Sequence, residues 1–130
     1  MLSIETMQKP AVSGEMRVLM NHIYEYTKGV RSMILCTMNK KYKKRAVARL
    51  ESRNISYVIQ HVDERRINLF FGKKECMNAI NLILKKSLAV LTPEEDFILG
   101  TLLGYDICEQ CKRYCQRKQK SCSHIKSSFD

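Results

Sequence analysis

The sequence has no long run of apolar residues. Uninterrupted apolar stretches such as 88–91 extend over only a few residues, whereas a membrane-spanning helix needs roughly 20. Residues 1–16 contain neither a basic start followed by an apolar segment nor a small-residue cleavage site, so they do not indicate a signal peptide. We therefore expect a soluble, cytoplasmic protein with no membrane partner.

The common catalytic signatures are absent as well. The chain contains no G-x-S-x-G nucleophile motif, no phosphate-binding glycine loop, no G-x-G-x-x-G motif and no H-E-x-x-H motif. The sequence therefore gives no support for an enzyme, although it does not exclude one. We predict neither catalytic residues nor a bound cofactor.

Length and composition fit a single domain. With 130 residues, 45% of them hydrophobic, the chain can bury one core without disulfides. The six cysteines are interpreted as thiols, because no export signal precedes them. We predict a flexible arm over residues 1–15, an α+β domain over 16–118, and a basic flexible tail over 119–130.

The net charge of +10 is concentrated in two segments. Residues 39–53 and 110–126 are strongly basic, and the segment 92–109 between them carries five acids and no base. Basic clusters favour acidic partners. We predict an acidic protein partner, with non-specific nucleic-acid binding as an alternative that lacks a visible aromatic stacking platform. The partner-binding candidates are Lys40, Lys41, Lys44, Arg45 and Arg49.

Apolar periodicity predicts the elements of the first two thirds of the chain. Asn21 can cap a helix over 22–28 that Gly29 ends, with a strand from Arg17 as the competing interpretation. The later segments are a strand over 30–38, a helix over 40–53 stopped by Asn54, a hairpin of strands over 56–62 and 66–72, and a helix over 73–86.

The C-terminal third predicts two more helices. Thr92 at the N-cap, Pro93 at the first helical position and Glu95 three residues after the cap are typical of a helix start. This helix is apolar on most sides, so we expect it to be buried on most sides, and Gly104 can end it. The last helix, 107–118, is amphipathic, with its cysteines along the apolar face.

Three motifs carry a resemblance to a known family. HIYEYTKGVR at 22–31, RINLFFG at 66–72 and LTPEEDFILGTLLGYD at 91–106 together resemble DUF2023, a family of small uncharacterised bacterial proteins, over about residues 16–118. The resemblance implies three strands, five helices, a homodimer and no established activity, so no functional residues are carried over. It also implies an association with flavodoxin-type proteins, which would suit a basic surface that meets an acidic redox protein.

The element order predicts an α+β fold with a βαββα core. A crossover from strand one, followed by a hairpin from strand two, places strand three between them, giving the order 1-3-2. Three strands with apolar residues on both faces need more cover than two helices provide. This independently favours a homodimer.

The C-terminal cysteines offer a metal-binding or thiol-redox alternative. The candidate ligands Cys108, Cys111, Cys115, Cys122 and His124 have the spacing C-x2-C-x3-C-x6-C-x-H. On one continuous helix, however, Cys108 and Cys115 would be about 10 Å apart along the axis, too far to share one zinc ion. We therefore interpret these thiols as small core residues, unless the helix breaks near Cys111. Cys108 and Cys111 alone could form a redox pair.

One polar cluster remains. His22, Glu25 and Tyr26 recur at helical spacing. Such a set usually forms a structural hydrogen-bond network. We expect it to tie the first helix to the sheet.

Overall fold

The computed structural model describes residues 13–121. Most of the predicted arm and tail, including Cys122 and His124, lies outside these residues. The described part contains three strands, five α-helices and two short 3-10 turns. In chain order they are α1 (Gly14–Thr27), β1 (Met33–Asn39), a 3-10 turn (Lys40–Tyr42), α2 (Lys43–Glu51), β2 (Ser56–His61), β3 (Arg66–Gly72), α3 (Lys74–Ile83), a 3-10 turn (Leu88–Val90), α4 (Pro93–Leu102) and α5 (Ile107–Ser121).

The three strands form one sheet in the order β1-β3-β2. The central strand β3 is antiparallel to both neighbours, and its Phe71 lies opposite Ile34 on one side and Tyr57 on the other. The predicted α+β class, the βαββα core and the strand order are all confirmed. Because β3 is flanked on both sides, its residues from Ile67 to Gly72 are buried.

Helices α1 and α2 contribute to the core on one face of the sheet. Ile67, Leu69 and Phe71 alternate along β3 and share one cluster with Leu19 of α1 and Leu50 of α2. These side chains recur every second residue in the strand and every third or fourth residue in the helices, as burial of a single face requires.

Helices α3 and α4 contribute to a second core on the opposite face. Phe70 of β3 packs in a cluster with Met77 and Ile80 of α3 and Leu99 of α4.

Beside this cluster, a row of hydrogen-bonded polar side chains crosses the sheet. The hydroxyl of Thr37 donates to Asn68 Oδ1 at 2.6 Å, Asn68 Nδ2 donates to Gln60 Oε1 at 3.0 Å, and Gln60 Nε2 donates to the Lys86 carbonyl at 3.0 Å.

Helix α1 begins about two turns earlier than predicted. The Ser13 side chain accepts a hydrogen bond from the Met16 amide at 3.1 Å and caps a helix that starts at Gly14. The prediction of a start at Asn21 is wrong, as is the competing strand from Arg17. Met16, Leu19 and Ile23 are all buried, so the apolar stripe that holds the helix already begins at Met16.

Other element boundaries shift by smaller amounts. β1 starts at Met33, because Val30 lies in an exposed turn after Gly29. The segment after β1 forms a 3-10 turn before it becomes the helix α2. Asn54 has a positive φ of 55, and the Ile55 amide donates to the Leu50 carbonyl at 3.0 Å. The predicted helix stop at Asn54 is confirmed.

Candidate interaction surfaces

The start of α4 follows its sequence signature. Thr92 Oγ1 accepts from the Glu95 amide at 3.1 Å, and Glu95 Oε1 accepts from the Thr92 amide at 2.9 Å. Pro93 occupies the first helical turn. Lys86 Nζ lies 2.8 Å from Glu95 Oε1, and its hydrogen bond lowers the pKa of Glu95, as does the hydrogen bond from Thr92. The acidic first turn of α4 is therefore held in place by its cap and by Lys86.

Basic side chains of α5 pair with this acidic turn. Arg113 Nε lies 2.7 Å from Asp96 Oδ2 and Nη2 lies 3.2 Å from Oδ1, a two-point contact that raises the pKa of Arg113. Lys118 Nζ lies 3.0 Å from Glu94, and the Tyr114 hydroxyl donates to Glu94 at 3.0 Å. The hydrogen bond from Lys118, followed by that from Tyr114, lowers the pKa of Glu94.

These contacts change the interpretation of the second basic segment. Its cations were predicted to favour an acidic partner, but Arg113, Arg117 and Lys118 form ion pairs with Asp96 and Glu94 of the same chain. The acidic and basic segments therefore largely neutralise each other across the α4–α5 pair.

Helix α5 is rotated about its own axis relative to the prediction. Gln110 is buried, whereas Cys108, Cys111 and Cys115 are exposed. The interpretation of these thiols as core residues is wrong. The ion pairs to α4 turn part of the polar side of α5 inward. The Gln110 amide group lies against Gly100, and a Cβ at that position would force it to move.

The outward surface of α4 and α5 is consequently apolar. It contains an open groove of about 410 Å³ lined by Phe97, Ile98, Cys111, Tyr114, Cys115 and Glu94. Phe97 and Tyr114 pack edge to face with ring centroids 5.6 Å apart. Ile98 is 45% exposed, and Ile107 at the start of α5 is 52% exposed. The prediction that α4 is buried on most sides is wrong for the single chain. We call this surface the apolar face.

The metal candidates are spread along one helix. α5 runs without a break from Ile107 to Ser121, so Cys108 and Cys115 stand about 10 Å apart along its axis. Within residues 13–121, no group of three or more His, Cys, Asp or Glu side chains is placed to hold a metal ion. Cys122 and His124 lie outside the described residues.

The first basic segment forms an exposed surface. None of its five predicted partner-binding residues makes an ion pair with an acidic residue within residues 13–121. Ala46 and Leu50 anchor the other side of α2 in the core. All five predicted partner-binding residues are exposed, and we call them the basic face: Lys40, Lys41, Lys44, Arg45 and Arg49.

The predicted polar cluster is only partly assembled. His22 Nδ1 approaches Glu25 Oε1 to 3.5 Å but forms no hydrogen bond within residues 13–121. The Tyr26 ring packs edge-on against Phe71, with ring centroids 6.1 Å apart. The polar tie between α1 and the sheet comes from Glu15, whose Oε1 accepts from the Asn39 amide at 3.0 Å. Sequence analysis missed Glu15, because it was assigned to the loose arm.

The comparisons place the chain in a family. The model of DUF2023, described as a protein of unknown function, matches residues 17–117. The chain therefore belongs to the DUF2023 family. No curated protein matches it. Among the described residues, no helix has both the length and the apolar character needed to cross a membrane.

Proposed function

We propose that this chain is a non-enzymatic, cytoplasmic interaction or regulatory module that binds an acidic protein through its basic face. One observation carries the proposal. The α5 cations Arg113, Arg117 and Lys118 pair with acids of α4, whereas the basic face has no such partners among residues 13–121. Its charge is therefore available to an external acidic surface.

Charge complementarity explains how the basic face would help to select a partner. Facing surfaces of opposite sign accelerate encounter and disfavour partners of the wrong charge. The family resemblance suggests a flavodoxin-type protein as the acidic partner. Because Ala46 and Leu50 anchor α2 in the core, the backbone that carries the cations is already ordered before a partner binds.

The test compares capture of partners by three versions of the chain. The basic-face variant carries Lys44→Glu, Arg45→Glu and Arg49→Glu. The control variant carries Lys74→Glu, Lys85→Glu and Lys120→Glu, which change the net charge equally at other exposed positions. From an extract of the source organism, the native chain and the control should capture the same acidic protein, and the basic-face variant should lose it. If both variants lose the captured protein equally, binding depends on net charge alone and not on the basic face, which would contradict the proposal.

Nucleic acid is an alternative ligand of the same face, and the variants also address it. Binding of a fluorescent single-stranded oligonucleotide is measured at several salt concentrations. We expect only weak, steeply salt-dependent binding, as phosphate attraction alone produces. Oligonucleotide binding that survives at about 150 mM salt and disappears in the basic-face variant would favour a nucleic-acid function instead.

We further propose that the apolar face is the homodimer interface. Its exposed Ile98 and Ile107 and its groove leave apolar area in water that a second copy could cover. Sedimentation velocity at micromolar concentration should show a dimer for the native chain and a monomer for Ile98→Asp. Leu82→Asp, a matched change at a side chain 73% exposed on α3, should remain dimeric. A monomeric native chain would contradict the proposal.

Thiol-redox chemistry is the second candidate function, favoured by the exposure of the C-terminal cysteines. Cys108 and Cys111 lie one helical turn apart, and both are exposed. If this pair has a redox role, mild oxidation should form a reversible disulfide that is absent from Cys108→Ser. Failure of a thiol reagent to label either residue near neutral pH would rule the role out.

A further inference from the structure

A second basic site lies at the opposite end of α2 from its 3-10 start. An open groove of about 590 Å³ is lined by Arg31 from the α1–β1 turn, Arg53 after α2, and Lys73 after β3, together with Tyr26 and Ser32. Three cations from three separate segments of the chain thus line one concavity. None of the three forms an ion pair with an acidic residue within residues 13–121.

Backbone contacts fix the segments that carry two of these cations. The Lys73 amide donates to the Ser32 carbonyl at 2.9 Å, which joins the end of β3 to the turn that carries Arg31. Gly72 permits this approach, because a Cβ there would lie 2.6 Å from Met33 Cα and would overlap the Ser32 carbonyl oxygen. Arg31 and Lys73 are therefore carried by adjacent, hydrogen-bonded segments.

The third cation, Arg53, contacts residues at the C-terminal end of α2. Arg53 Nη1 donates to the Arg49 carbonyl at 3.1 Å and lies 3.3 Å from Ser52 Oγ. A guanidinium has five N–H donors, so these contacts restrain its position and leave donors for a ligand. A planar guanidinium is suited to two-point contact with a phosphate group.

We propose that this groove binds the phosphate group of a small phosphorylated molecule. Three cations match the charge of a phosphate monoester or diphosphate, and the Ser32 hydroxyl adds a hydrogen-bond donor. The Tyr26 ring supplies an apolar wall for the remainder of the ligand. A groove of this volume is within the range of small-molecule sites, which favours a compact ligand over a polymer that would follow the length of α2. This site shares no cation with the basic face, although Arg53 contacts the Arg49 carbonyl, and it does not depend on the proposed protein partner.

Calorimetric titration of the full chain tests the site, with pyrophosphate and adenosine monophosphate as probes. At about 150 mM salt we expect binding with a dissociation constant below about 1 mM. Arg31→Gln and Lys73→Gln should each weaken it at least about tenfold, as loss of a charge-assisted hydrogen bond implies. Both residues are exposed, and unchanged thermal unfolding will show that the variants remain folded.

A matched change outside the groove provides the control. Lys44→Gln removes one positive charge from the basic face and should alter affinity less than about twofold. Inorganic phosphate is titrated as a reference ligand, and tighter binding of adenosine monophosphate than of inorganic phosphate would show that the groove recognises more than the anion. Absence of binding by either probe at this salt concentration would overturn the proposal, as would equal weakening by Lys44→Gln.

Discussion

Gly72 shows how much depends on a single missing side chain. It ends β3 with a φ of 150, and an added Cβ would lie 2.6 Å from Met33 Cα and 2.9 Å from Met33 Cβ. Both the conformation and the space therefore favour glycine. Gly72→Ala should lower the free energy of unfolding by about 2–4 kcal/mol in urea denaturation.

Gly14 provides the control for this substitution. It is the first residue of α1, and a Cβ there would meet nothing within 4 Å. Gly14→Ala should leave stability unchanged or raise it by up to about 1 kcal/mol, because alanine restricts the unfolded chain more than glycine does. A similar loss of stability from both substitutions would show that the close approach of Met33 to Gly72 is not the cause of the loss.

Thr92 should stabilise α4 as its N-cap residue. Its side chain caps α4 through the Glu95 amide, so Thr92→Ala should lower the free energy of unfolding by about 1 kcal/mol. Thr101→Ala is the same substitution at an exposed position inside α4, where alanine is the better helix former. It should be neutral or slightly stabilising, and a larger loss there than at Thr92 would contradict the capping role.

At the scale of elements, the ion pairs at the start of α4 should weaken in acid. Lys118 and Lys86 are the leading causes that lower the pKa values of Glu94 and Glu95 in the folded chain. A carboxylate with a lowered folded pKa contributes stability that is present above its unfolded pKa, about 4.3, and is lost as pH falls through the folded value. Thermal unfolding temperatures should therefore drop below about pH 4.3.

The variant Glu94→Gln/Glu95→Gln isolates this effect. It removes both titrating groups, so its unfolding temperature should be lower near neutral pH and should fall less steeply in acid than that of the native chain. Glu64→Gln/Glu75→Gln, which changes two other exposed glutamates, should retain the native slope. Identical acid slopes for the native chain and Glu94→Gln/Glu95→Gln would show that the ion pairs of these two glutamates contribute nothing measurable.

The same two helices show what could be predicted from the sequence. The α4 start was predictable because Thr92, Pro93 and Glu95 act within one turn. The orientation of α5 could not be predicted. Its cysteine side is the more apolar one, but the hydrogen bond from Arg113 to Asp96 helps determine which side of the helix faces α4. A contact between helices on opposite sides of a turn is not encoded in the periodicity of either helix.

Helix α1 illustrates a different limit. Its stripe of Met16, Leu19 and Ile23 was readable, but Gly14 beside Ser13 resembled a loop. The cap at Ser13 is local and was overlooked only because Gly14 is typical of a loop, whereas the Glu15 contact with Asn39 forms only once β1 is in place. Strand order, by contrast, followed from connectivity, since a hairpin after a crossover leaves few arrangements.

At the scale of the whole molecule, the surface divides into regions of different character. The basic face lies on α2, the apolar face lies on α4 and α5, and the sheet with its two core clusters lies within the same domain. Among residues 13–121, the cations of the basic face form no ion pair, whereas those of α5 pair with acids of α4. This distribution would suit our two proposals, an acidic protein at the basic face and a second copy at the apolar face.

The most direct test of this account is the affinity of the chain for a purified flavodoxin-type protein from the same organism, titrated at salt concentrations from about 50 to 500 mM. The account predicts binding that weakens as salt rises, that is lost in Lys44→Glu/Arg45→Glu/Arg49→Glu, and that persists in Lys74→Glu/Lys85→Glu/Lys120→Glu. Absence of binding at the lowest salt concentration, or binding that the basic-face variant retains in full, would contradict it.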